Sequence, residues 1–161
     1  MMRRRQALTL LAGAASLAAC GGGSGGQPAG GSGAGVLAAA RANGLGRFAR
    51  AAEAAGFAEQ LAGTGPYTLF APTDRAFAAS SAGRLDGEAL QRLVAYHIVP
   101  GQLTSAFLVG VDVNHTTLLG SSLNIDGRGE GLRVNGAQVT RADIAAGNGV
   151  VFAIDRVLTP R

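Results

Sequence analysis

Few side chains in this sequence could do chemistry: one cysteine, two histidines, scattered carboxylates and a handful of serines. Cys20 stands alone, so an intramolecular disulfide is excluded. With only His97 and His115 beside it, it cannot complete a closed zinc site, which takes four such ligands. A nucleophilic triad would need a serine next to His97 and a carboxylate to orient the ring. Ser80, Ser81 and Ser105 are available, but none sits on the strained turn that activates a serine. Two glycine motifs, Gly22–Gly26 (G-x-S-x-G) and Gly21–Gly26 (G-x-G-x-x-G), lack the strand and helix that would give them meaning. No catalytic residue, metal or cofactor is therefore implied, and the residues that remain are candidates for binding. Foremost among them is the loop Asp126–Gly131, with its charged side chains Asp126, Arg128 and Glu130 between two strands.

These groups must be positioned by helices in the first half and strands in the second. Val36–Ala40 and then Leu45, Phe48, Ala49, Ala52 and Ala55 recur at helical steps, with Arg47, Arg50 and Glu53 opposite. Gly56 breaks the run, and Phe57–Leu61 makes a further helical turn. Tyr67–Ala71 reads as a buried strand that Pro72 must end. Thr73 or Asp74 then caps a short helix to Ala79 with Phe77 inward. The next helix starts at Asp86 or Gly87 and puts Leu90, Leu93, Val94 and His97 on one face. That spacing favours His97 as a buried, hydrogen-bonded framework residue, whereas Tyr96 could keep its hydroxyl at the surface. Leu103–Val109 is a connector with one helical turn.

The remainder predicts strands at Thr116–Leu119, around Leu123 and Ile125, at Leu132–Val134 and at Ala137–Val139. Asn135-Gly136 is a two-residue hairpin turn, and Asp143–Gly149 returns to a turn before a last strand, Val150–Leu158. His115 is expected to be exposed near a strand start. Helices followed by hairpins is the α+β order.

Charge argues against nucleic acid. The formal charge is +4, but without Arg3, Arg4 and Arg5 the remaining 11 Arg face 10 acidic residues, leaving about +1. Those three arginines open a signal-peptide pattern. Ala7–Ala19 is an apolar run too short to span a bilayer, which takes about 20 residues. It ends in Leu17-Ala18-Ala19-Cys20, which resembles the lipobox of bacterial lipoproteins. The resemblance implies a diacylglyceryl group on Cys20 and cleavage just before it. Each buried acyl CH₂ is worth about 0.8 kcal/mol, so several chains anchor stably. Arg4-Arg5 also resembles a twin-arginine export signal, and general secretion fits equally well. Gly21 favours sorting to an outer membrane if the host has one. The tract Gly21–Gly35 holds nine glycines in 15 residues and predicts a flexible coil spanning roughly 20 Å. The expected organisation is a signal peptide at 1–19, a lipidated Cys and linker at 20–35, and one domain at 36–161. Asn114-His115-Thr116 fits a glycosylation acceptor, a reading that needs machinery most bacteria lack.

Three ordered boxes within the domain carry a second resemblance. They are F-A-P-T-D-R-A-F at Phe70–Phe77, Y-H-I-V-P-G at Tyr96–Gly101, and N-G-V-V-F-A-I-D-R-V-L at Asn148–Leu158. Together they resemble the conserved boxes of the fasciclin domain, an extracellular adhesion-type module, and the match spans Val36–Pro160. The resemblance implies a two-sheet β-wedge with a helical layer from the N-terminal half. It also implies adhesion to a cell-surface or matrix protein or a polysaccharide, generally without catalysis, and it marks Tyr96 and His97 as positions discussed for adhesion. Phe152 stands where the family usually has histidine, so any hydrogen bond made by that histidine is absent here.

The expectation is thus a monomeric, lipid-tethered binding module, in the periplasm or on the cell surface, that takes no nucleic acid. A periplasmic carrier or sensor of a small apolar ligand is the alternative, and a passive envelope-stability protein is a third reading. A further expectation is that replacing Asp126–Gly131 by a short turn lowers binding and leaves stability nearly unchanged.

Overall fold

A computed structural model describes residues 35–160, so the expectations for 1–19, Cys20 and the tract up to 34 lie outside the described residues. The helices are α1 (Val36–Ala42), α2 (Gly46–Ala54), α3 (Ala58–Ala62), α4 (Asp74–Ala79), α5 (Gly87–Tyr96) and α6 (Ser105–Leu108). The strands are β1 (Tyr67–Pro72), β2 (Ile98–Pro100), β3 (Asp112–Thr116), β4 (Ser122–Asp126), β5 (Arg133–Val134), β6 (Ala137–Ala146) and β7 (Gly149–Ile154). A single turn of 3₁₀ helix, Ser81–Arg84, lies between α4 and α5.

The seven strands follow one hydrogen-bonded order, β2-β1-β7-β6-β5-β4-β3. β6 belongs to both halves of this array: its first residues pair with β5 and its later ones with β7, with register shifts at Val139/Arg141 and Arg141/Ile144. Extra residues bend a strand and increase its twist. Here they fold one array into the two facing layers of the wedge. The outer edges also meet, because the Leu118 N–H donates to the Ile98 carbonyl at 2.9 Å.

This arrangement makes two cores, and β1 and β7 are shared between them. Leu69, Ala71, Val151 and Ala153 face the helices and pack with Phe48, Leu45, Phe77 and Leu93. Phe70, Phe152 and Ile154 face the other way and pack with Tyr96, Leu123, Ile125 and Val134. β1 and β7 run parallel, with Phe70 opposite Phe152. A strand buried on both faces reads as a continuous apolar run, as Leu69–Ala71 and Val150–Ile154 do. β4 is different: Leu123 and Ile125 point inward while Ser122, Asn124 and Asp126 alternate outward.

Local signals explain several boundaries. Thr73 is the cap of α4, its Oγ1 accepting from the Ala76 N–H at 3.2 Å. Asp74 instead accepts the Arg47 N–H at 2.8 Å, which ties α2 to α4. Asn135 (φ 48) and Gly136 (φ 84) form the expected hairpin turn, with positive φ at both centres. Gly149 is required by space: a Cβ there would lie 1.9 Å from the Tyr67 carbonyl oxygen. Gly149→Ala is therefore expected to destabilise by about 3 kcal/mol, the upper part of the overpacking range, because the obstacle is backbone. Urea denaturation of the two proteins at neutral pH measures the difference.

Three strand expectations need correction. The strand placed at Thr116–Leu119 is Asp112–Thr116, since pairing with β4 runs from Asp112↔Asp126 to Thr116↔Ser122 and the chain then turns. Asp112 and Asn114 have low strand propensity, and cross-strand pairing overrides it. The turn placed at Asp143–Gly149 is the end of β6, which continues to Ala146. Asp143 takes φ 53 at the irregularity, so a turn-like residue sits inside a strand. The last strand stops at Ile154 rather than Leu158.

Candidate functional site

Tyr96 and His97 end α5 on neighbouring positions and go to different places. The His97 side chain is fully buried, and both ring nitrogens are used. Nδ1 donates to the Leu93 carbonyl at 2.7 Å, one helical turn back. Nε2 accepts from the Leu158 N–H at 2.9 Å. These partners require the neutral ring with its proton on Nδ1. Burial holds the His97 pKa down at about 4, against a weaker opposing effect of the Leu93 hydrogen bond. Phe48 packs on the ring, with centroids 5.1 Å apart. His97 therefore joins α5 to the C-terminal segment and does not reach the surface. As a candidate binding residue it is corrected to a framework residue, the role its apolar spacing favoured.

The Tyr96 ring is also buried, but its hydroxyl reaches the wall of an open cleft of about 530 Å³. The hydroxyl donates to the Ser122 carbonyl at 3.1 Å and accepts from Asn135 Nδ2 at 2.5 Å. Asn114, Ser121, Ser122, Asn124, Asn135 and Gly136 line the rest. The amides are oriented by their neighbours. Asn124 Nδ2 donates to Asp112 Oδ1 at 2.6 Å and to Asn114 Oδ1 at 3.2 Å. Asn135 Oδ1 accepts the Asn124 N–H at 3.0 Å. Asn124 Oδ1, the Asn114 amide nitrogen and the hydroxyls of Ser121 and Ser122 remain for a ligand. The lining carries no ionisable group that is charged at neutral pH.

The candidate loop lies elsewhere. β4 runs from Ser122 at the cleft to Asp126, four residues on, or about 14 Å along the strand. Arg128 and Glu130 are exposed beyond it. Asp126 accepts the Arg128 N–H at 3.0 Å, a local turn, and Arg128 makes a loose 3.6 Å contact with Asp112. Gly127 is buried: a Cβ there would lie 1.8 Å from the Leu108 carbonyl oxygen. Gly127 is part of the frame and Asp126 pairs with Arg133, so replacing the whole of Asp126–Gly131 is expected to cost stability. The structure does not bring this loop together with Tyr96.

His115 is half-buried within β3 opposite Leu123, rather than exposed at a strand start. Asp155 accepts the Gln138 N–H at 2.9 Å and serves as a strand-end carboxylate. Among the described residues no three His, Cys, Asp or Glu side chains gather in a way that could hold a metal ion. No helix of the described residues is long and apolar enough to cross a membrane. Asn114, Ser121, Ser122 and Asn124 were missed in the sequence. The available signal was the polar alternation of Ser122, Asn124 and Asp126, but Asn114 joins them only once β3 takes its true register.

Comparison with known proteins bears on the family and the fold. The Fasciclin domain family model matches residues 43–160. Protein sll1483 of Synechocystis sp. is 38% identical over 117 residues, covering 68% of this chain and 64% of the relative. Immunogenic protein MPB70 of Mycobacterium bovis is 36% identical, covering 60% and 51%. Cell surface glycolipoprotein MPB83 of the same species is 34% identical, covering 60% and 44%. The matched stretch thus spans 44% to 64% of the length of these relatives. A solved domain pair from the insect cell adhesion molecule fasciclin I superposes with a TM-score of 0.61 at 23% identity, over 73% of this chain and 46% of that one. From the three boxes, the family match over residues 43–160 and the shared wedge, the chain belongs to the fasciclin-domain family.

Proposed function

We propose that this chain is a non-catalytic binding module of the cell envelope, tethered by a lipid on Cys20, whose cleft around Tyr96 and Asn135 binds a neutral, hydroxyl-rich surface polymer. The observation that carries the reading is the cleft lining: three oriented asparagines, two serines and a tyrosine hydroxyl, with no charge. An amide offers a donor and an acceptor side by side, which matches the hydroxyl groups of a neutral polysaccharide. The cleft is open and its size falls within the usual range for ligand sites, about 300–1,000 Å³. The tether rests on the Leu17–Cys20 pattern, and the location is supported by the naming of MPB83 as a cell surface glycolipoprotein. Most polar groups near the cleft fix one another's geometry, and no nucleophile–base pair faces it, which favours binding over catalysis.

The carrier reading would need an apolar chamber. Among the described residues the space between the two layers is filled by Phe70, Phe152, Leu123, Ile125 and Ile154, all fully buried. That packing favours a surface that adheres.

Binding of fluorescently labelled chain to intact cells of its own species, with heat-unfolded chain as control, tests the proposal. Saturable binding by the folded form is expected, with competition by neutral polysaccharide extracted from those cells. An Asn124→Ala, Ser122→Ala double variant should bind at least about tenfold more weakly, the loss of one or two hydrogen bonds. Binding that persists unchanged in this variant would move the site away from the cleft.

A further inference from the structure

We infer that the side of the domain toward the origin of the tether is a membrane-resting face, with Phe107, Val109 and Val111 seated in the lipid headgroup region. This rests on the lipid tether proposed above and adds an orientation to it. The large apolar side chains that stand exposed among the described residues are Phe107 (75%), Val109 (65%) and Val111 (38%), all within five positions. A cluster of this kind on a soluble surface marks an interaction site.

Strand register shows where the cluster lies. β6 runs from Ala137, beside the cleft turn Asn135-Gly136, to Ala146. Beyond Ala146, Asn148 accepts the Val36 N–H on its side chain at 3.0 Å, so the N-terminal segment meets the domain at the far end from the cleft. Tyr67 opposes both Gly149 and Pro100, which places the end of β2 there as well. The chain then passes Gly101, whose N–H donates to the Pro66 carbonyl at 2.9 Å, and reaches α6. The Ser105 N–H donates to Asp143 Oδ1 at 2.8 Å, five residues before Asn148. Past α6, the Gly110 N–H donates to the Gly127 carbonyl and the Gly127 N–H to the Val111 carbonyl, both at 2.7 Å. Val109 and Val111 are thereby held against the β4–β5 loop.

The apolar cluster therefore lies between Asp143 and the β4–β5 loop, on the side of the cleft toward the origin of the tether. Fifteen residues, 21–35, separate Cys20 from Val36. A tether of that length gives the cluster a high effective concentration of bilayer surface, which turns a weak contact into a populated one. Phenylalanine and valine suit the headgroup–acyl boundary, and exposed Arg128 at the rim can meet lipid phosphates. In this pose the cleft points away from the membrane, toward its ligand.

The sequence has no tryptophan, so a Phe107→Trp substitution gives a single-site reporter. Arg75→Trp, exposed on α4 past the Pro72 end of β1 and so away from the Tyr67–Gly149 end, is the control, and Val109→Trp is a second reporter. The lipidated full chain is reconstituted into vesicles of phosphatidylethanolamine and phosphatidylglycerol carrying brominated acyl chains. The expected result is a blue shift and loss of most emission for Phe107→Trp and Val109→Trp, with Arg75→Trp unaffected. Equal emission with and without bromine for both reporters would overturn the proposal. So would a blue shift that depends on protein concentration in the absence of lipid, which would assign the face to a second copy of the chain. Mass spectrometry of the Cys20 peptide tests the tether separately. If Cys20 carries no acyl group, its thiol, the sole one in the chain, is coupled to maleimide-headgroup vesicles. Quenching there upholds the face while the lipid reading falls, and its absence removes both.

Discussion

Lowering the pH from 6.5 to 4 is expected to cost this domain about 3 kcal/mol through one residue, His97. The ring is buried with its proton on Nδ1 and its Nε2 accepting the Leu158 N–H. A proton on Nε2 would break that bond and place a charge in the apolar core. The folded-state pKa of about 4 lies below the ordinary 6.5, so the unfolded chain takes up the proton first. The contribution is fully present above pH 6.5 and is lost progressively as the pH falls toward 4. Roughly 2 kcal/mol should already be gone at pH 5, above the range in which ordinary carboxylates titrate. Urea midpoints taken across pH 7 to 5 measure it. A His97→Gln protein should be less stable at pH 7 and should show a flat profile in that interval. A slope that survives His97→Gln would assign the acid sensitivity to another group.

Phe152→Ala is expected to destabilise by about 3–5 kcal/mol, the range for a fully buried phenylalanine truncated in a core. Phe152 is completely buried and stacks on Phe70 of the parallel neighbouring strand, with ring centroids 5.3 Å apart. The two rings fill the middle of the wedge between the sheet halves, and β1 and β7 are fixed on their other face by Leu69 and Val151. A site held on both sides collapses little, so most of the cavity cost should persist. Phe152→His should cost a similar amount, because the imidazole would sit against Phe70 and Ile154 with its nitrogens unpaired. Chemical denaturation reads both variants. A loss below about 1 kcal/mol for Phe152→Ala would mean that the layers close over the gap.

The two residues stand differently toward the fasciclin boxes: His97 matches its box and Phe152 departs from its own. His97 of the second box is buried with both ring nitrogens hydrogen-bonded, whereas Phe152 of the closing box stacks on Phe70. Sequence inspection located both positions. It could not find their partners, since Leu158 is 61 residues from His97 and Phe70 is 82 residues from Phe152.

Elements whose signals are local were legible before any fold was known. The helical spacing from Leu45 to Ala55, the Pro72 stop, the Thr73 cap and the Asn135-Gly136 turn all act within a few residues, and all stand where their chemistry puts them. The sequence also placed His97 inward, because helical periodicity is a statement about one face of one element. Features that depend on register between distant strands were legible only in the folded chain. β3 begins at Asp112 because β4 pairs with it there, against the preference of aspartate and asparagine for turns. β6 runs through Asp143 because β7 supplies hydrogen bonds on either side of the irregularity. The cleft exists only when that register sets Asn114 beside Asn124 and brings Asn135 to the Tyr96 hydroxyl. Long-range pairing is fixed by the sum of many weak cross-strand contacts, and no short stretch of sequence carries that sum.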